Sequence, residues 1–329
     1  MSDPLLRLAR KAVFTPWHGL LNLADPPVIV LLYHRVATLA RDPEQLAVTP
    51  ENFRAQLAYL KENFPIVRFE ADWSKTDKPA VALTFDDGFA DNALQALPIL
   101  EELGVPATFF VATGTIGTDR LFWWNELERI VLETDPLPDS YLDAPLKSTW
   151  ATGTGADRRR FYREAAQLMT DYDTQSRNAL LERIRTWAGS AAGSAGSAGS
   201  AGCQRSLSLE ELRLLAKSGC ATVGAHTVTH TRLSSLSVAA QREEIRASKL
   251  ALEKWLGAEV TTFSYPYGKR SHYTQESIEL CREAGFAKAA ANFPGQAHRW
   301  SDPYQIPRHL VRDWPVELFA EQLKGFWTR

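Results

Sequence analysis

Apolar and polar positions follow two rhythms along this chain. Apolar runs bounded by turn signals, at 28–33, 81–85 and 107–111, the last two broken only by Thr84 and Thr108, predict short strands buried on both faces. Between and after them, apolar residues recur at helical spacing. Thr49-Pro50 supplies a cap followed by proline at the first helical position, ahead of Leu57 and Leu60. Residues 92–103 continue helically and stop at Gly104, while 73–78 read as a polar connector. Ser208-Leu209-Glu210-Glu211 is a capping box opening a helix to Lys217, and further helices over 237–256 and 274–284 end at Gly257 and Gly285. The segment 305–311 reads as a late strand. This β-α-β alternation implies parallel strands with covering helices.

From 121 to 188 the rhythm changes. Helical patterns at 122–128, 157–169 and 176–187 predict a helical insertion between the β-α units. Its aromatic residues admit two roles, lining a ligand cleft by ring stacking or anchoring the insertion to its host. Residues 189–204 are almost purely Ala, Gly and Ser and read as a flexible linker outside fold reasoning. The start of the chain, 1–27, has Leu5, Leu8, Phe14, Trp17 and Leu20 set against Arg7, Arg10 and Lys11. That amphipathic, basic pattern fits either a helix packed on the domain or peripheral contact with a membrane surface. It lacks the order of a secretory signal, and no run is long enough to span a bilayer.

Composition narrows the function classes. With 329 residues, 45% hydrophobic and 23% charged, the chain can build a large core, and a net charge of −2 without aromatic-basic interleaving argues against nucleic acid. The three cysteines, Cys203, Cys220 and Cys281, lack metal-type spacing, so a disulfide framework is not expected and a reducing compartment suits the chain.

Candidate chemistry collects where apolar runs stop. The run 81–85 ends at Asp86-Asp87-Gly88. Neighbouring side chains of an extended segment point to opposite sides, so one carboxylate can hold a cation while the other accepts a proton; a solvated turn is the plain alternative. His226 and His230 stand four residues apart, a spacing that puts both on one side of a helical turn and within reach of one metal. With Asp87 they make two imidazoles and one carboxylate, a donor set that leaves positions open for water and substrate. Pro266 and Gly268 force a shaped turn around Tyr267, whose backbone N–H groups can face a developing oxyanion.

Thr84-Phe85-Asp86-Asp87-Gly88, His226-Thr227-Val228-Thr229-His230 and Tyr265-Pro266-Tyr267-Gly268, in this order, resemble the first three motifs of the polysaccharide deacetylases, carbohydrate esterase family 4. Phe89-Ala90-Asp91-Asn92, Leu97-Pro98-Ile99-Leu100 and the stretch 104–111 are also similar, and the resemblance covers roughly 28–120 and 205–312. It implies an α/β fold, the distorted (β/α)7-type barrel of that family, built from 28–120 and 205–329 and carrying the insertion.

It also implies roles. Asp87, His226 and His230 would hold a divalent metal, with Zn²⁺ favoured by the two imidazoles. Asp86 would act as general base and the Tyr267 backbone N–H as oxyanion donor. Many members carry a Leu-x-His element late in the chain, whereas here Leu32-Tyr33-His34 supplies it at the start, as in relatives with a permuted arrangement. His34 is therefore the expected general acid, with His309 the fallback and a satisfied core histidine the bland alternative. Where many members have arginine, this chain has Ser264, and Arg308 is the expected replacement that keeps Asp86 ionised. Asp313-Trp314 echoes only the end of the fourth motif and receives no catalytic role. The expected activity is removal of acetyl from an N-acetylated amino sugar or glycan, in the cytoplasm or at the inner face of the membrane, during surface polysaccharide or lipopolysaccharide assembly. Hydrolysis of another small amide or ester, and a catalytically silent carbohydrate-binding protein, are the rival readings.

Overall fold

The computed structural model describes residues 22, 25–189 and 204–327. The amphipathic pattern at the start of the chain and most of the Ala/Gly/Ser linker lie outside them. The strands in chain order are β1 (Val28–Tyr33), β2 (Arg35–Val36), β3 (Ala47–Val48), β4 (Ala80–Phe85), β5 (Ala107–Val111), β6 (Ser140–Asp143), β7 (Ser148–Ala151), β8 (Ala221–Ala225), β9 (Thr262–Ser264), β10 (Lys288–Ala290) and β11 (His309–Leu310). The principal helices are α1 (Pro50–Asn63), α2 (Leu97–Leu103), α3 (Trp123–Glu128), α4 (Gly155–Thr170), α5 (Thr174–Ala188), α6 (Leu209–Lys217), α7 (Val238–Leu256), α8 (Gln275–Glu283) and α9 (Val316–Phe326).

Seven strands form one all-parallel sheet in the order β10-β9-β8-β5-β4-β1-β11. A parallel bridge from Ala290 to Ile306, just ahead of β11, curls the two edges toward each other and gives the (β/α) barrel form. Both six-residue central strands are buried throughout, which explains their apolar composition, with Thr84 the one polar residue. Their side chains nevertheless alternate. Ile29, Leu31, Tyr33, Val81, Leu83 and Phe85 join the layer under the helices, where Phe85 lies between the rings of Tyr33 and Phe109. Val28, Val30, Ala80 and Ala82 pack the other face with Phe110. Continuing that alternation, Thr84 and Asp86 follow Ala82 on the interior side, toward Arg308.

The helix signals in the sequence correspond to real caps. Thr49 accepts from Asn52 N, Ser208 and Glu211 complete a capping box, and Gly104 and Gly257 close their helices with φ near +65°. Three expectations need correction. Residues 92–96 start as a π-helix before α2 takes over. The late strand is confined to His309–Leu310. The insertion is not wholly helical: an antiparallel hairpin, β6 with β7, sits between α3 and α4, with Tyr141 of β6 buried. Its Ser-Tyr-Leu-Asp and Ser-Thr-Trp-Ala strands are too short to register against the helical patterns on either side. The insertion carries its own core, in which Trp123, Trp124, Leu127, Phe161 and Ile184 pack together, and Phe89 joins that core from the barrel.

Candidate active site

Register assembles the site at the C-terminal ends of the strands, where parallel α/β sheets expose their chemistry. Tyr33 lies opposite Phe85, so His34 and Asp86 leave the sheet side by side, and Asp86 N donates to Tyr33 O at 3.1 Å. Ala225 lies opposite Phe263, which brings His226 beside Ser264. The loop after β1 is locked from below. Arg35 Nε donates to Asp91 at 3.0 Å, Asp91 also accepts from Val36 N, and Asn92 Nδ2 donates to His34 O at 2.9 Å.

Asp87 is forced out of the strand by its backbone. Its φ is +78°, and Gly88 N donates back to Asp86 O at 3.1 Å across it, a three-residue turn that is strained for a residue with a side chain. The same construction recurs at Tyr267, with φ +60° and Gly268 N donating to Pro266 O at 2.7 Å. Gly268 is required for two reasons, its own φ of +61° and an approach that would leave a Cβ only 2.6 Å from Asn292 N.

The two histidines do not share a helical turn. Residues 226–230 form an irregular loop after β8, with φ of +65° at Thr227 and +51° at His230, and the imidazoles converge with ring centroids 4.9 Å apart. Left-handed residues fold the chain back within the same sequence spacing, so spacing alone could not separate a loop from a helix. His226 Nδ1 faces Ser264 O at 2.7 Å, which assigns its proton there and leaves Nε2 for a metal, 3.7 Å from Asp87 Oδ1. His230 Nε2 is 3.2 Å from the same oxygen. Ligand atoms of Asp87, His226 and His230 all lie within 4.8 Å of one another, and Asp87 Oδ1 is buried without a hydrogen-bond partner. Two neutral imidazoles and an orphaned carboxylate oxygen fit a divalent cation with open positions, Zn²⁺ among them. Burial lowers His226 to about 4 and His230 to about 3, so both imidazoles are uncharged at neutral pH and each keeps one ring nitrogen free to ligate, while burial pushes Asp87 up.

Asp86 is handled differently. Burial would raise it, but Arg308 donates through Nη1 and Nη2 to its two oxygens at 2.7 and 2.6 Å and holds it well below the usual carboxylate range. Arg308 is itself fixed by Nε donating to Ala291 O at 2.7 Å. The hydroxyl of Ser264 accepts from Arg308 at 2.8 Å and donates to Asp86 at 3.2 Å, so the small residue occupies the space between the two.

His34, Asp86, Asp87, His226, His230 and Tyr267 line one cleft of about 500 Å³. His34 Nδ1 is buried without a partner, and burial lowers the imidazole while Asp87 and Asp86 pull it up. His309 lies elsewhere: it stacks on Phe326 at 4.0 Å and faces Gly295 O at 2.9 Å. Asp313 accepts from Thr49 and Asn52 at the start of α1. Trp123 and Trp124 both line the cleft and both belong to the insertion core, so they anchor the insertion while bordering the site.

Sequence reasoning missed what holds the histidine loop. Arg177, 3% exposed on α5, donates to Thr229 O at 3.0 Å and to His230 O at 3.3 Å. Thr174 bonds the hydroxyls of Thr229 and Thr231, and Glu244 of α7 accepts from Val228 N and Thr229 N at 2.8 and 2.9 Å. The insertion and a barrel helix thus grip the loop between them. No local sequence signal joins residues so far apart.

A family model described as polysaccharide deacetylase matches residues 74–134 and 153–289, and the gap between the matched segments contains the β6–β7 hairpin. A Bacillus subtilis protein, YxkH, whose name gives polysaccharide deacetylase as a provisional assignment, is 21% identical over 290 residues, covering 86% of this chain and 70% of its own. Among solved structures, IcaB from Ammonifex degensii superposes with a TM-score of 0.58 at 19% identity over 92% of this chain and 97% of its own. The Streptococcus pyogenes deacetylase PplD, solved in complex with acetate, gives a TM-score of 0.57 at 18% identity, over 90% of this chain and 98% of its own.

Proposed function

This chain belongs to the polysaccharide deacetylase family, and on that premise we propose that it is a metal-dependent N-deacetylase of an N-acetylated amino sugar or glycan. One observation carries the reading: an Asp87, His226 and His230 donor set stands beside a second carboxylate, Asp86, that Arg308 keeps ionised and out of the donor set. Bare carbohydrate binding would not require that division of labour.

Asp87, His226 and His230 would hold the divalent cation, with Zn²⁺ best suited to two imidazoles. When bound, it supplies Lewis-acid polarisation of the amide carbonyl and lowers the pKa of water. Asp86 accepts the proton of the attacking water, for which its ionised state at neutral pH is the prerequisite. The backbone N–H of Tyr267, aimed by the strained turn, stabilises the developing oxyanion. His34, whose imidazole burial lowers despite the opposing pull of Asp87 and Asp86, takes up a proton in the course of the reaction and donates it to the departing amine. The C–N bond breaks and the products are acetate and the free amino sugar. Acetyl as the acyl group is supported by the acetate-bound relative PplD, and N-acetylated sugars in surface polysaccharide or lipopolysaccharide assembly are the substrates this reading favours. Acetate release from N-acetylated sugars, lost on chelation and restored by Zn²⁺, tests it; a protein that binds the metal yet releases nothing across neutral and acidic sugars contradicts it.

A further inference from the structure

Resting on that deacetylase reading, we infer that the substrate is acidic: it carries an oxyanion, phosphoryl or carboxylate, next to the sugar that is deacetylated. Apart from the residues already placed around the metal, the charged side chains lining the catalytic cleft are Arg163, Lys269 and Arg312 against one carboxylate, Glu44. Arg312 is partly committed, since it donates to Glu44 O at 2.6 Å. Arg163 and Lys269 are exposed and have no ion-pair partner among the described residues. Two unpaired cations at the mouth of a site that would otherwise take a neutral acetamido sugar call for a charge on the ligand.

Helix α4 extends the argument. Its stripe Arg159, Tyr162, Arg163, Ala166, Gln167 and Thr170 runs from a neighbouring cleft of about 640 Å³ into the catalytic one, and Arg163 lines both. Arg159 and Arg163 stand one helical turn apart, a like-charge arrangement that disfavours the helix unless something anionic lies over it. On the other side of the same helix, charge is satisfied: Arg160 pairs with Asp157 at 2.8 Å, and Glu164 accepts from Trp150 Nε1 at 2.8 Å. The neighbouring cleft also holds Asp42, Glu133 and Asp135, and Asp135 pairs with Arg158 at 3.3 Å, so the groove-facing cations of α4 without an ion-pair partner among the described residues are Arg159 and Arg163. Phosphoryl groups of a nucleotide or lipid carrier and carboxylates of a uronic acid share the chemistry these residues recognise.

The test uses the Zn²⁺-loaded enzyme and matched N-acetylglucosamine substrates, one neutral, one bearing a phosphate ester at the adjoining position and one a uronate there. The ratio of kcat/KM, acidic over neutral, is expected to be about tenfold or more through KM and to shrink at high salt. Arg163→Gln and Lys269→Gln each lower that ratio toward one, and charge-retaining Arg163→Lys restores part of it. Preference for the phosphate over the uronate, or the reverse, identifies the source of the oxyanion. A wild-type ratio near one, or a ratio unmoved in both variants, overturns the inference while neutral-substrate turnover leaves the deacetylase reading standing. Acetate released from none of the three removes both.

Discussion

Arg308 forks onto Asp86 with two parallel contacts, 2.7 Å to one carboxylate oxygen and 2.6 Å to the other, although the residues are separated by most of the chain. The pair is buried, so removing one partner leaves an uncompensated charge. In Arg308→Met the burial of Asp86 is opposed only by His226, His34 and the Ser264 hydroxyl among the described residues, and its pKa rises. The acid limb of the pH profile of kcat/KM then moves to higher pH, and turnover at neutral pH falls by about 10²-fold. An unmoved acid limb would dissociate Arg308 from the ionisation of Asp86.

Arg177 donates to backbone carbonyls of the histidine loop and lies over the face of Trp123, just behind His230. Arg177→Met is expected to weaken Zn²⁺ binding by about tenfold, the scale seen when groups orienting metal ligands are lost. Competition with a chromophoric chelator measures it directly. Unchanged affinity would make the insertion a passive neighbour of the site.

Glu128 is 3% exposed, and its Oε1 has no partner. Burial and the nearby Glu133 raise it from 4.5 to about 7. A pKa raised in the folded state means the fold binds the proton more tightly, so stability is fullest below the unfolded value and is lost as pH climbs through about 7. Glu128→Gln should leave the Tm unaltered at about pH 4, below the unfolded value, and raise it at about pH 8. Thermal unfolding at the two pH values decides it, and an equal shift at both would mean the gain is not ionisation.

Gly268→Ala combines a left-handed φ of +61° with a Cβ placed 2.6 Å from Asn292 N. The turn must open, at a cost of about 1–3 kcal/mol. Chemical denaturation should show that loss together with reduced kcat, because the same turn aims the Tyr267 N–H. Full stability with full activity would mean the turn tolerates the change.

Much of the fold was legible because strand burial, helix caps and terminating glycines act locally: the runs at 28–33 and 81–85 are the central strands, and Thr49, Ser208 and Gly257 cap as their types require. The motif residues were legible for the same reason, being packed into short segments at strand ends. The histidine loop was misread as helical because positive φ at Thr227 and His230 is invisible in residue spacing. The hairpin at 140–151 was missed because four-residue strands carry too little pattern. The contacts that organise the site, Arg308 with Asp86 and Arg177 with the loop, arise from tertiary packing. The first could be suggested from Ser264 standing where an arginine is usual, whereas nothing in the sequence pointed to the second.

The most direct measurement compares bound metal and acetate release in Asp86→Asn and His226→Ala. We expect Asp86→Asn to retain about one metal per chain with turnover abolished, because Asp86 lies outside the donor set, and His226→Ala to lose both. Equal metal loss in the two variants, or turnover surviving in Asp86→Asn, would contradict the division of labour on which the proposed function rests.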